Sequence, residues 1–239
     1  MASIVGRRPP ALVVLSLALI AAGPSAWSQQ SPFMGFGSRV TPPIGFLTFC
    51  LQEPVKCGLD RSELRKPEAQ AAIWRSAYWS VFFAETPLQV DPGLEHTPVI
   101  TLNPAALATL ERVDLTINHQ IRFDPDEAGA EVTRGWHLPL KDGTMVGDCA
   151  DIALEKRRAL VEEGFASDAL SLALAQTPAG THVVLLVATN RGELVLDSLS
   201  EHVLNWRELD YHWISRQLPG HPLIWTAVEP GVQGEGTLG

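Results

Sequence analysis

The chain has 239 residues, 46% of them hydrophobic and 19% charged, with 18 Lys and Arg against 27 Asp and Glu and a formal net charge of −9. That length and apolar fraction suit one compact domain, and 19 Gly and 18 Pro scattered along the chain exclude a coiled coil and general disorder. The acidic balance excludes a general nucleic-acid binder, which needs a basic surface to displace counterions from phosphates.

Residues 1–28 have the pattern of a secretory leader. Arg7 and Arg8 precede an uncharged aliphatic run from Ala11 to Gly23, and Ala26 and Ser28 are the small residues before a cut ahead of Gln29. The run falls short of the roughly 18 to 20 residues a membrane-crossing helix needs. Removing two positive charges from −9 leaves −11 on the mature chain. A periplasmic or secreted protein follows, with no stable membrane insertion after cleavage. Residues 29–41, rich in Gly, Pro and Ser, suggest a flexible arm ahead of a domain over 42–239.

In an oxidising compartment, two of the three cysteines are expected to pair. Cys50 and Cys57, seven apart in FCLQEPVKCG, can close a short loop, which leaves Cys149 over. Residues 67–85 show helical spacing of Ala71, Trp74, Tyr78, Val81 and Phe82, a core stripe rather than a sugar-binding platform. Asn103-Pro104 starts a second helix running through Leu107, Leu110 and Ile117 towards Ile121. Residues 124–147 carry Gly, Pro and acid and suggest an extended, solvated loop.

A third helix is predicted from Cys149 to Glu163. Asp148 is its N-cap, Gly164 its terminator, and Lys156, Arg157 and Arg158 lie in its later part. Strands are expected over 171–175, 182–189 and 193–199, with Asn190-Arg191-Gly192 as the turn of a hairpin. Trp206, Trp213 and Trp225 suggest further short strands that close the sheet. The fold class is α+β, in one domain, with the Cys149 helix packed on an antiparallel sheet.

Three residues carry the chemistry. Cys149 opens a helix, where the unpaired N–H groups and the dipole favour a thiolate. His182 begins the apolar strand HVVLLVAT, and Asp197 ends the next, LVLDSL. Pairing these strands around the turn brings His182 opposite the region of residue 199, with Asp197 two positions back on the same face. An acid there can orient the imidazole and stabilise its protonated form. A nucleophile, base and orienter in the order Cys, His, Asp would form an acyl-enzyme that water releases. The backbone N–H of Cys149 would serve as an oxyanion donor. Taken singly, each residue also fits a plain structural role.

GDCADIALEKRRALVEEG followed by HVVLLVATNRGELVLDSL resembles the bacterial transglutaminase-like cysteine proteinases, exported proteins with a papain-like core. The matching positions are Gly147, Asp148, Cys149, Asp151, Lys156, His182, Leu196 and Asp197. PPIGFLTFC around Cys50, Cys57, Asn118 before IRFDPD, and Trp136 followed by Pro139 extend the likeness over about residues 42–215. The resemblance implies a papain/transglutaminase-like core and an exported cysteine peptidase. Its substrate would be a protein at the cell surface or in the periplasm. Members that cleave adhesins in a calcium-dependent way carry acids on both sides of the Cys. Here Ala150 takes the second place, so calcium is not carried over and no cofactor is expected. Ser198 stands where the pattern has Asn, and Arg134 where it has an acid.

The remaining histidines (His96, His119, His137, His202, His212 and His221) show no zinc-ligand spacing. A phosphate-binding glycine loop and a Gly-x-Ser-x-Gly elbow are both missing. Two rivals to the peptidase remain on the same fold: a transglutaminase-type acyl transferase, in which an amine resolves the thioester, and a catalytically silent binding module.

Overall fold

The computed structural model of the chain describes residues 31–59, 98–124 and 135–229. The predicted leader, the predicted 67–85 helix and Arg134 lie outside them. The architecture is a seven-stranded antiparallel sheet with its main helices on one face. The strands are β1 (Arg39–Val40), β4 (Leu170–Thr177), β5 (Gly180–Thr189), β6 (Gly192–Leu196), β7 (Leu204–Asn205), β8 (His212–Leu218) and β9 (His221–Ala227). Their spatial order is β1-β9-β8-β4-β5-β6-β7. Strands β2 (Arg122–Phe123) and β3 (Val146–Gly147) form a separate parallel pair.

The pleat of β5 explains why its centre is apolar without alternation. Val183, Leu185 and Val187 pack with the helices, while Val184 and Leu186 pack into a second cluster with Trp206 and Trp213. Helices α1 (Ile44–Gln52), α2 (Pro104–Gln120) and α4 (Cys149–Glu162) contribute Phe46 and Phe49, then Leu110, Val113 and Ile117, then Ile152, Leu154 and Leu160 to the helix side. Each such large side chain adds about 1.5–3 kcal/mol by leaving water. Asn103 caps α2 by accepting from the Ala106 N–H at 2.8 Å. The disulfide Cys50–Cys57 joins the end of α1 to the following turn, with the Cα atoms 5.0 Å apart.

Two expectations change. Residues 31–40 do not hang loosely, because Met34 is buried and its N–H donates to Glu193 Oε2 at 2.7 Å. Arg216, paired with Glu193, donates to the Met34 carbonyl at 3.0 Å, and Trp206 Nε1 donates to the Pro32 carbonyl at 3.1 Å. The arm therefore closes the second face of the sheet. Within 124–147, the described part is not simply extended, for it holds the short helix α3 (Pro139–Asp142) and β3. Lys156 and Arg157, predicted in the later part of the Cys149 helix, both lie inside the protein. Helix α4 is enclosed on nearly all sides, so both are buried and held by specific partners.

Candidate active site

The first turn of α4 is built by a reciprocal cap. Asp148 Oδ1 accepts from the Ala150 and Asp151 N–H groups at 2.8 and 3.1 Å, and Asp151 Oδ2 accepts from the Asp148 N–H at 3.2 Å. Gly147 is required just upstream, because a Cβ there would lie 2.8 Å from Asp151 Cβ and 2.9 Å from Pro139 Cγ. Cys149, partly buried, is the thiol outside the disulfide. It packs against the apolar cluster that includes Val183 and Leu196, the chain neighbours of His182 and Asp197. Residues 163–169 turn the chain from α4 back into β4.

The β5–β6 hairpin has the expected register, with Leu185 facing Leu196 and Thr189 facing Gly192. Gly192 has φ +106°, and a Cβ on it would meet the Pro32 carbonyl at 2.8 Å, so turn and arm both need glycine there. This register brings His182 and Asp197 together: Nε2 lies 2.6 Å from Oδ1, and both side chains are buried. With Nε2 so used, Nδ1 is the ring nitrogen left for a thiol. Asp197 Oδ1 also accepts from the Leu199 N–H at 2.9 Å, and Oδ2 accepts from the Tyr211 hydroxyl at 2.6 Å. Burial works to raise the Asp197 carboxyl, but these donors outweigh it and hold it below its ordinary range. Burial pushes the Tyr211 phenol well up, and the Asp197 carboxylate beside it adds to the shift.

The turn after Asp197 is anchored from α2. Asn118 Nδ2 donates to the Asp197 carbonyl at 2.9 Å and to the Ser200 carbonyl at 3.2 Å. One turn earlier on that helix, Asp114 Oδ1 lies 2.6 Å from Lys156 Nζ, and both side chains are buried. Burial raises the Asp114 carboxyl to about 6 against the pull of Lys156, and burial lowers the Lys156 ammonium.

Two groups escaped the sequence reading. Tyr211 carries no motif, and nothing local marks it as a partner of Asp197. His137 showed no metal spacing, yet its Nδ1 lies 2.9 Å from Asp151 Oδ2 and its backbone N–H donates to Asp151 Oδ1 at 2.8 Å. The Asp at the third helical position was a visible capping signal. Its second partner was not visible.

Asp148 and Asp151 direct oxygens to the cap and to His137, and Ala150 offers none. Among the described residues, no group of three or more His, Cys, Asp or Glu side chains could hold a metal ion. Nor is any described helix long and apolar enough to cross a membrane.

Comparison with known proteins identifies the family of the chain. Legionella pneumophila LapG is 20% identical, with a TM-score of 0.39 over 74% of this chain and 83% of that one, and its EGTA-treated form gives the same values. The calcium-bound form of the same protein is 20% identical with a TM-score of 0.43, over 80% of this chain and 92% of that one. No curated protein matches the chain. The model of the bacterial transglutaminase-like cysteine proteinases (BTLCP) matches residues 75–233. The fold is α+β and transglutaminase-like, and the chain belongs to the bacterial transglutaminase-like cysteine proteinase family, a family of cysteine peptidases acting on proteins.

Proposed function

We propose that the chain is an exported thiol peptidase, working in the periplasm or outside the cell, which hydrolyses a peptide bond through Cys149, His182 and Asp197. The observation that carries this reading is the buried His182–Asp197 hydrogen bond through Nε2, which reserves Nδ1 for a thiol. The Cys149 thiolate attacks the peptide carbonyl carbon, and the proton on Nδ1 passes to the leaving amine. Water then attacks the thioester, gives its proton back to the imidazole, and releases the acid. Asp197, kept ionised by its three donors, stabilises the imidazolium formed in each half-reaction. The developing oxyanion is received by the N–H of Cys149; its position in the first turn of α4 supports that role. Asp148 acts as the helix cap, and no step is assigned to calcium.

The test is hydrolysis of a protein substrate by the purified mature chain, followed by mass spectrometry. Cys149→Ala is expected to abolish cleavage while retaining the folded-state circular dichroism. Products carrying an isopeptide with ammonia loss would replace hydrolysis by acyl transfer. Cleavage that survives in Cys149→Ala would end the thiol mechanism.

A further inference from the structure

We propose that Tyr211 is a positioning residue for the His182–Asp197 pair. Its hydroxyl locks the Asp197 carboxylate in the rotamer that receives Nε2, and so presents Nδ1 to Cys149. The last clause rests on the peptidase reading; the positioning itself does not.

Three observations converge. The main chain at Asp197 is already fixed, because Asn118 holds the carbonyls of Asp197 and Ser200 from α2. Only the side-chain torsions remain to be set. Oδ1 is shared by His182 and the Leu199 N–H, so Oδ2 decides whether the carboxylate can rotate, and Tyr211 holds it at 2.6 Å. Tyr211 also touches the imidazole. Its ring lies edge-on to His182, with centroids 6.0 Å apart and planes at 84°. The tyrosine is anchored in turn, for its ring lies 5.7 Å from that of the buried Trp213. Without the hydroxyl, Oδ2 would be a buried carboxylate oxygen with one donor fewer, free to exchange places with Oδ1 or to draw in water. The imidazole would keep its neighbour and lose its fixed direction.

The test uses the mature protein and Tyr211→Phe, which keeps the ring and deletes the bond. The first readout is the far-downfield proton resonance of the imidazole N–H, assigned by its loss in His182→Ala. The second is the ratio of the rates at which iodoacetate and iodoacetamide alkylate Cys149. An imidazolium beside the thiolate favours the anionic reagent. Tyr211→Phe is expected to displace or broaden the resonance and to reduce the ratio about tenfold, the effect of losing one hydrogen bond to a charged group. Its thermal midpoint should fall by only about 2–4 °C.

A second measurement avoids any packing change. The chain has only two tyrosines, Tyr78 and Tyr211. Uniform 3-fluorotyrosine therefore makes the phenol at 211 a stronger donor within the native fold. It should weaken the pull of Asp197 on Nε2–H and move the resonance upfield. A resonance and ratio unchanged by both alterations would overturn the proposal. If the resonance responds to Tyr211 while alkylation ignores even His182→Ala, the positioning stands and the peptidase reading falls.

Discussion

His182–Asp197 and His137–Asp151 are both described in this fold, and comparing them shows how one pair of residue types takes on different duties. In both, a ring nitrogen lies within 3 Å of a carboxylate: His182 with Asp197 at 2.6 Å, and His137 with Asp151 at 2.9 Å. The difference lies in what else each carboxylate holds. Asp151 also accepts the backbone N–H groups of His137 and Asp148, so it ties the Trp136–Leu138 segment to the start of α4. Asp197 holds a turn N–H and a phenol, neither of which belongs to a helix terminus. One pair is therefore a brace for the segment that carries Cys149. The other is a ring held at one nitrogen, and on the proposed mechanism the second serves the thiol.

Substitution of the two histidines should break this symmetry most sharply. His182→Ala is expected to lower peptide-bond cleavage by about a thousandfold, with the folded state intact by circular dichroism. His137→Ala should leave the chemical step within a small factor of wild type and register in thermal unfolding instead. Equal losses of activity in the two variants would erase the distinction.

The next effect belongs to stability. Lys156→Met strands Asp114 in the interior and should cost about 3–5 kcal/mol in denaturant unfolding. Adding Asp114→Asn should recover part of that loss, because the uncompensated carboxyl is then gone. Asp151→Ala deletes a capping acceptor and leaves the His137 and Asp148 N–H groups without it. We expect a loss of about 2–3 kcal/mol, and slower alkylation of Cys149 as the first turn of α4 loosens.

The smallest effect is a difference in slope with pH. Asp197 is held below its usual range, so its contribution to stability is present above pH 3.8 and is lost as pH falls through its folded value. Asp114 is raised from 3.8 to about 6, so the folded state keeps a proton that the unfolded chain has released. Its effect has the opposite sign: stability falls as pH rises between those two values. Denaturant unfolding from pH 4 to 7 should therefore flatten in Asp114→Asn. Asp197→Asn should instead remove acid sensitivity below that window.

What was legible in the sequence was local or periodic. The Asp148 cap, the Asn103-Pro104 helix start and the hairpin around residues 190–192 each depend on residues within a few positions of one another. The structure places them as expected. The hairpin register alone was enough to bring His182 to Asp197. The partners that escaped are joined by tertiary packing. Glu193 and Arg216 form a buried pair that receives Met34 from the other end of the chain. The partners of Lys156 and Arg157 were equally out of reach, because a helix enclosed on most sides buries its cations, and no propensity scale records that. The β2–β3 pair is two residues long on each side and parallel, too short for alternation to show. Tyr211 reaches Asp197 through sheet order: it immediately precedes β8, whose His212 faces Gln176 of β4, which in turn faces Thr181 beside His182.

The hold of Arg157 on the disulfide loop has a practical consequence. Its guanidinium donates to the Cys57 carbonyl at 3.0 Å and to the Lys56 carbonyl at 3.3 Å, which connects the Cys50–Cys57 loop to the helix that starts at Cys149. One sulfur of this molecule works as a thiol, and two others work as a bridge. Cys50 and Cys57 are fully buried and Cys149 only partly so, so a mild reductant restores an oxidised Cys149 first, and raising it until the bridge also opens removes about 2 kcal/mol of stability. Activity should accordingly climb and then decline as dithiothreitol is raised. The useful assay window lies between those two reductant concentrations.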